Sequence, residues 1–388
     1  MRTTYVPPLT AETAKELQRR AIAPAAAMSE ASHPAKGDVF LVGLDLGTNT
    51  SCLKLSPAGS REVVFSEIVP TVVGYAKEGI VENVLPGNAQ VLFGEAAMKH
   101  RLYLRMLSPL ANGVVADLAA AHDFARHLRQ LLDVPMGAEL RAVVGVPASA
   151  DRAARENVCQ MLNGFFPKVI LVPEPFLAAL GYRDEGRLGD PAYVDPVRNS
   201  MFVDIGAGTT DVCLVQGYHP TADDQVSVPF AGDKVDELLS DAIRRVYPDV
   251  HLSQVRIREV KEAHSYVGPM ESPVTVDAVV GGKLRRLDLG EAIGDACQAL
   301  LMKVFDCVKA MIGQASTDSV AEVMRNIILT GGGSRIRNID AELQRLLVED
   351  GYEKPRVQTV GEDYKEYVAR GALAAGRQAR ENQWIALG

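Results

Sequence analysis

Short apolar runs that stop at Gly, Pro or Asp alternate along this chain with longer stretches in which apolar residues recur at helical spacing. The run at 39–44 ends at Asp45 and resumes at 52–55, as the two buried strands of a hairpin do. RAVVGV at 141–146 is another strand, closed by Pro147, and it leads into a helix at 151–162 that Ser149 or Asp151 can cap. A strand at 168–172 is followed by Glu174-Pro175 and a helix at 176–182. A second hairpin is entered by 201–203 and left by 212–215. Helices are expected at 233–246 and 254–266, strands at 274–287 around Gly281-Gly282, and a long amphipathic helix at 291–312. A strand at 326–329 runs into Thr330-Gly331-Gly332-Gly333-Ser334-Arg335, and a helix at 364–379 follows. Strands alternating with helices predict an α/β chain with mostly parallel, helix-covered sheets, one in each half. The stretch 184–199, with Gly186, Gly189, Pro191 and Pro196, reads as the boundary between the halves.

Composition narrows this picture. A chain of 388 residues exceeds one ordinary core, so two domains or two pseudo-symmetric halves are expected. With 47% apolar and 23% charged residues it reads as soluble and globular, and a net charge of −8 argues against autonomous nucleic-acid binding. No apolar run reaches the ~20 residues that span a bilayer. Residues 1–37 are rich in Ala, Pro and polar groups, and they lack the basic start and apolar stretch of a secretory signal. Within them, 9–22 can form a short helix with Leu9, Ala14, Leu17 and Ala21 on one face, but a flexible extension is the preferred reading over a membrane-binding helix. Five cysteines without a C-x-x-C pair fit a reducing cytoplasm. Cys52, Cys213, Cys297 and Cys307 are expected to be buried, and no His/Cys metal cluster is evident.

The candidate chemistry is a duplication. Asp45-Leu46-Gly47-Thr48-Asn49-Thr50 and Asp204-Ile205-Gly206-Ala207-Gly208-Thr209 are two Gly/Thr hairpins, each opened by an aspartate. Asp45 aligns with Asp204, Gly47 with Gly206 and Thr50 with Thr209 without a gap. Such turns expose successive N–H groups and hydroxyls that can surround phosphate oxygens. Asp45 and Asp204 are then placed to hold Mg²⁺, through its waters because Mg²⁺ keeps much of its hydration. One D-x-G-x-x-T alone is better explained as a turn carboxylate capping nearby N–H groups. Two in register reverse that preference.

Glu174 sits between Pro173 and Pro175, which fix its direction. On its own it reads as a loop carboxylate that caps the next helix. With the paired hairpins it can orient or deprotonate the water that attacks a γ-phosphate. Gly331-Gly332-Gly333 leaves room for a flat base or its phosphates, although a lone triple glycine is weak evidence. Lys261 and Glu262 can cover adenine and bond the ribose hydroxyls, or form a solvated charge pair.

These residues, in this order, resemble the actin-like ATPase superfamily over 38–380. GLDLGTNTSCLKL is similar to its first phosphate motif, FVDIGAGTTDVCLV to its second and ILTGGGSRIRNI to its adenosine motif. AVVGVPAS and LVPEPFLAALG resemble the intervening segments of bacterial actins. The resemblance implies two pseudo-symmetric halves, each with a helix-covered mixed sheet, in four subdomains around a nucleotide cleft. It places the first half at 38–198 with an insert at about 57–107, the second at 199–358 with an insert at about 233–289, and a C-terminal helix in 359–388 returning to the first half. It implies that Glu174 is the hydrolytic residue, with Asp45 and Asp204 handling Mg²⁺ and phosphate. VKEAHSYVG supports Lys261 and Glu262, and AGDKVDE adds Gly232 and Asp233 on the nucleotide side. Arg335 follows the glycines of the adenosine motif and joins these candidates.

Within the superfamily, TVVGYAKEG, DDQVSVPFAGDKVDE and GGGSRIRN are similar to the magnetosome-filament branch, the MamK-like actins. That branch implies ATP and Mg²⁺ as cofactors, ADP as product, head-to-tail filaments of the chain itself, and ATP hydrolysis that times filament turnover in the cytoplasm. It further implies positioning of magnetosomes or a related organelle through adaptor proteins. The alternatives are an MreB-type cell-shape filament, a non-polymerising scaffold and a small-molecule kinase of the same fold. Residues 132–140 carry little apolar surface beside Val134, Pro135 and Met136, so direct membrane anchorage is not expected.

Overall fold

A computed structural model describes residues 38–387; the helix read at 9–22 and the rest of the extension lie outside the described residues. In chain order, β1 (Val39–Leu46), β2 (Thr50–Pro57) and β3 (Phe65–Pro70) form a meander. A small insert follows, with β4 (Val73–Ala76), β5 (Val91–Phe93), α1 (Gly94–Lys99) and β6 (Leu104–Leu107). A two-residue-stranded hairpin, β7 (Leu110–Ala111) and β8 (Val114–Val115), leads to α2 (Leu118–Leu131), β9 (Glu139–Val146), α3 (Arg152–Leu162), β10 (Lys168–Pro173) and α4 (Glu174–Tyr182). The pattern then repeats with β11 (Ser200–Ile205), β12 (Thr210–Val215), β13 (Gln225–Val228), α5 (Gly232–Val246) and α6 (Gln254–His264). A second insert hairpin, β14 (Thr275–Val280) and β15 (Lys283–Asp288), precedes α7 (Gly290–Ile312), α8 (Val320–Met324), β16 (Ile327–Thr330), α9 (Ile339–Glu349) and β17 (Val357–Thr359). The chain closes with α10 (Tyr367–Gln378) and β18 (Ile385–Ala386).

The two large sheets have the orders β18-β10-β9-β1-β2-β3 and β13-β12-β11-β16-β17, beside small sheets in the inserts and the β7–β8 hairpin. β1 pairs parallel with β9 and β9 with β10, whereas β1–β2 and β2–β3 are antiparallel. The second sheet repeats this arrangement, with β11 parallel to β16 and antiparallel to β12. The sheets are therefore mixed, which corrects the mostly parallel reading. The cause is local: each tight Gly/Thr turn returns the chain beside the strand it has just left, which only an antiparallel pair allows.

The central strands are apolar on both faces because both faces are covered. One core packs the first sheet against α2 and α3 through Leu44, Leu53, Phe124 and Leu162. A second packs the other sheet against α5, α7 and α9 through Val203, Leu239, Leu300 and Leu343. A third lies between the sheets, where Leu177 of α4 and Val368 of α10 meet Phe202 and Ile328. Cys52, Cys213, Cys297 and Cys307 are buried, as expected. Among the described residues no helix is long and apolar enough to cross a membrane.

Helix starts follow their caps. Asp151 accepts the N–H of Ala154 at 2.8 Å, and Ser253 accepts that of Arg256 at 3.2 Å. Two boundaries differ from the sequence reading. The helix expected to reach 266 ends at His264, because Tyr266 bridges to Arg337 and the N–H of Val267 donates to the Arg337 carbonyl at 3.0 Å. The helix expected from 364 begins at Tyr367, and Glu362–Glu366 forms a tighter turn. The buried ammonium of Lys54 draws Glu366 into an ion pair at 2.7 Å and holds that turn.

α10 lies against the first sheet and crosses α4 at glycines. A Cβ on Gly371 would collide with the Leu177 carbonyl, one on Gly181 with the Tyr367 carbonyl, and one on Gly43 with that of Ala369. The approach is closer than any side chain permits.

Candidate functional site

Both Gly/Thr turns open onto one cavity of about 390 Å³ between the sheets. In the first, the Thr71 hydroxyl donates to the Gly47 carbonyl and lies within hydrogen-bond distance of the Ser51 hydroxyl, both at 2.8 Å, and the Thr71 N–H donates to Asn49 O at 2.9 Å. In the second, the N–H of Gly206 donates to Thr209 O at 2.9 Å. The start of α5 is docked on that turn, since the N–H groups of Gly232 and Asp233 donate to Gly206 O and Ala207 O at 3.2 and 2.7 Å. Each turn is thus held from behind, as a turn that offers backbone N–H groups to an anion needs to be.

The tip of the β7–β8 hairpin ties the two turns together. The N–H of Gly113 donates to the Thr48 hydroxyl at 3.1 Å. On the other side, a Cβ on Gly208 would stand 2.5 Å from the Asn112 Cα. Further back, the carboxylate of Asp211 on β12 accepts the N–H of Ala148 at 2.9 Å and joins the halves.

Glu174 is the first residue of α4, directly after the Pro173 cap. Its Oε1 is buried and has no hydrogen-bond partner among the described residues. Burial raises its pKa well above the ordinary carboxylate range, and repulsion from Asp45, Asp211 and Asp204 adds to that. Burial likewise pushes Asp45 up to about 7. Asp204 is pushed up to about 8 by burial and by Asp45 and Asp211. The carboxylates of Asp45, Asp204, Asp211 and Glu174 converge here and repel one another. A divalent cation would relieve that repulsion, so the donor set fits Mg²⁺. Among the described residues no three His, Cys, Asp or Glu side chains form a direct metal-ligating group, and Mg²⁺ keeps much of its hydration.

This electrostatic strain has a measurable sign. With folded-state values of about 7 and 8 against an ordinary 3.8, the folded chain binds more protons than the unfolded one between those limits. Stability of the nucleotide-free protein therefore falls as pH rises through that window. The melting temperature is expected to be higher at about pH 6 than at about pH 8, with Mg²⁺ and ATP narrowing the gap. A melting temperature that climbs between the two would contradict the burial of these carboxylates.

The wall opposite the turns is the candidate adenosine side. Gly331 has φ +76° and lies so close to Asp204 that a Cβ would meet its Oδ1, which restricts the position to glycine. The Ser334 hydroxyl donates to the Gly331 carbonyl at 2.7 Å and fixes the loop. Lys261 reaches in from α6, with Nζ 3.5 Å from Gly232 O.

Of the residues singled out from the sequence, Asp45, Gly47, Thr48, Asn49, Thr50 and Glu174 line the cavity from the first half. Asp204, Gly206, Ala207, Gly208, Thr209, Gly232, Lys261, Glu262, Gly331, Gly332, Gly333 and Arg335 line it from the second. Asp233 does not; its carboxylate lies 3.3 Å from Arg258. Among the contributors not anticipated are Gly113 and the pair Tyr364 and Lys365 on the turn before α10. Asn112-Gly113 is a hairpin-turn dipeptide and carried a local signal. Tyr364 and Lys365 carried none.

Comparison with known proteins points the same way. The pattern of the MreB/Mbl protein family matches residues 40–381. The actin-like protein MamK of Magnetospirillum gryphiswaldense is 31% identical over 366 residues, covering 93% of this chain and 95% of that protein. Among solved structures, a MamK double helical filament superposes with a TM-score of 0.79 at 29% identity, covering 88% of this chain and 100% of the other. A non-polymerising MamK mutant bound to AMPPNP superposes with a TM-score of 0.62 at 29% identity, covering 88% and 99%.

Proposed function

Because the chain belongs to the MreB/Mbl family of actin-like proteins, we propose that it binds ATP with Mg²⁺ in the cleft, assembles head to tail into filaments and hydrolyses ATP to time their turnover. The observation that carries this reading is the pair of phosphate turns from two sheets facing one cavity with the unpartnered carboxylate of Glu174. Bound Mg²⁺ would neutralise charge on the β- and γ-phosphates. The turns at Gly47–Thr50 and Gly206–Thr209 hold the phosphate chain, and Asp45 and Asp204 hold the hydrated ion. Glu174 orients the attacking water and accepts its proton. Lys261, Glu262, Gly331–Gly333 and Arg335 enclose the nucleoside, with Gly232 and Asp233 at its edge.

The two inserts support the assembly step. Val81 and Leu102 on the first are 73% and 76% exposed, and Val279 and Leu284 on the second are 72% and 71% exposed. Apolar side chains at both projecting tips suit contact with a second copy. A non-closing contact between unlike surfaces propagates as a filament. Similarity to MamK over almost its whole length supports a MamK-like role, the positioning of magnetosomes or a related organelle through adaptor proteins, as the specific output.

Sedimentation and electron microscopy with a slowly hydrolysed ATP analogue test the proposal: filaments that depend on nucleotide and Mg²⁺ are expected. A protein that binds ATP but stays monomeric at all concentrations would sink the filament reading and leave a scaffold. Asp204→Ala is expected to lower Mg²⁺-dependent phosphate release by about 10²-fold, with the Mg²⁺ requirement shifted to higher concentration. An unchanged Mg²⁺ titration would remove Asp204 from the ion site.

A further inference from the structure

α5 and α6 face each other across a short ladder of charges beside the adenosine wall. α5 presents Asp233 and Asp236 one turn apart, and α6 presents Arg258 and Lys261 at the same spacing. Arg258 Nη2 lies 3.3 Å from Asp233 Oδ1 and its Nε 3.5 Å from Asp236 Oδ2. Lys261 Nζ lies 3.2 Å from Asp236 Oδ1. Exposure grades along the ladder: the side chains of Asp233 and Arg258 are each 38% exposed, that of Lys261 12% and that of Asp236 5%. Asp236 is therefore the buried end, and it lies behind Lys261 rather than in the cavity wall.

The alignment is as informative as the distance. Despite the 3.2 Å approach, Asp236 Oδ1 has no well-directed hydrogen bond among the described residues. The ammonium is held by charge, shared between that carboxylate and the Gly232 carbonyl at 3.5 Å. It can tilt toward a ligand without leaving its counter-ion. Without the counter-ion, a nearly buried ammonium would be expelled toward solvent.

We infer that Asp236 is a positioning residue for the nucleoside: it keeps the Lys261 ammonium in the cavity wall. This rests on the reading that Lys261 meets the nucleotide. Neither residue takes part in the chemistry at the phosphates, so Asp236 acts on nucleotide affinity and leaves the hydrolytic step alone.

The test is ATP binding, by titration with a fluorescent analogue, and phosphate release at saturating ATP, on the full chain. Asp236→Asn is expected to weaken affinity about tenfold while turnover at saturation stays within about twofold. Asp236→Glu, which retains the charge, should recover affinity to within about threefold, and Arg258→Met, which removes the contact at Asp233 and the longer one at Asp236 but leaves the Asp236–Lys261 pair, should stay within about twofold. Lys261→Met should weaken affinity at least as much as Asp236→Asn. The double variant should match Lys261→Met alone, and because it removes both charges of the pair it folds even where the single one does not. A double variant that binds more weakly than Lys261→Met, or an Arg258→Met as weak as Asp236→Asn, would show that the ladder only braces the helices. Lys261→Met with unchanged affinity would overturn both the placement of the nucleoside and the role of Asp236, whereas weaker binding in Lys261→Met with normal binding in Asp236→Asn would overturn Asp236 alone.

Discussion

Glu174→Ala is expected to bind ATP and to assemble, yet to release phosphate about 10²- to 10⁴-fold more slowly than the wild type. The expectation follows from how the carboxylate is held. Pro173 caps the helix in front of it and Pro175 follows it, so its backbone has little freedom. On its inner side a Cβ at Gly145 would stand 2.9 Å from the Glu174 Cγ, so the side chain is directed by close packing against β9. Its raised pKa makes the ionised carboxylate a stronger base than an ordinary one. The variant should also melt higher without nucleotide, because one of four mutually repelling buried carboxylates is gone. Filaments that persist under light scattering with little phosphate release support this account. Wild-type hydrolysis by the variant would remove Glu174 from the mechanism.

Gly371→Ala should produce the largest loss of stability, about 3 kcal/mol or more. The added methyl collides with the Leu177 carbonyl, a backbone atom of a buried helix that cannot rotate aside. α4 and α10 must separate, and α4 carries Glu174, so activity is expected to fall together with the urea midpoint. Gly59→Ala is the control, since nothing lies within 4 Å of its Cβ and its φ is unstrained; it should change stability by less than about 0.5 kcal/mol. Equal effects of the two would show that the helix crossing is looser than its geometry.

The parts of this molecule that were legible in its sequence are those whose chemistry is local. The phosphate turns could be read because Gly, Thr and Asp recur at fixed spacing, and α3 because Asp151 caps an amphipathic run. The place of Glu174 in the cavity was legible only beside the paired turns, since between its prolines alone it read as a capping loop carboxylate. Alternation of strands and helices alone suggested mostly parallel sheets; the mixed order came from the resemblance, in keeping with the two hairpins read at 39–55 and 201–215. The wall formed by Tyr364 and Lys365 depends on an ion pair between Lys54 and Glu366, residues that are neighbours only after folding. β18 pairs through two residues, Ile385 and Ala386, too few for any periodicity. Asp236 was hidden for the same kind of reason, since its partner Lys261 is on a different helix.

The return of α10 to the first sheet has a consequence for biosynthesis. β1 is complete by Leu46, but the helix that covers it beside Gly43 starts only at Tyr367, and the strand that borders β10 only at Ile385. A ribosome must therefore release almost the whole chain before the first half can close and present Glu174 beside Asp45. Until then the half-built site exposes its central core and its carboxylates together. On the proposed reading, nucleotide binding waits until residues 367–386 have emerged and folded back.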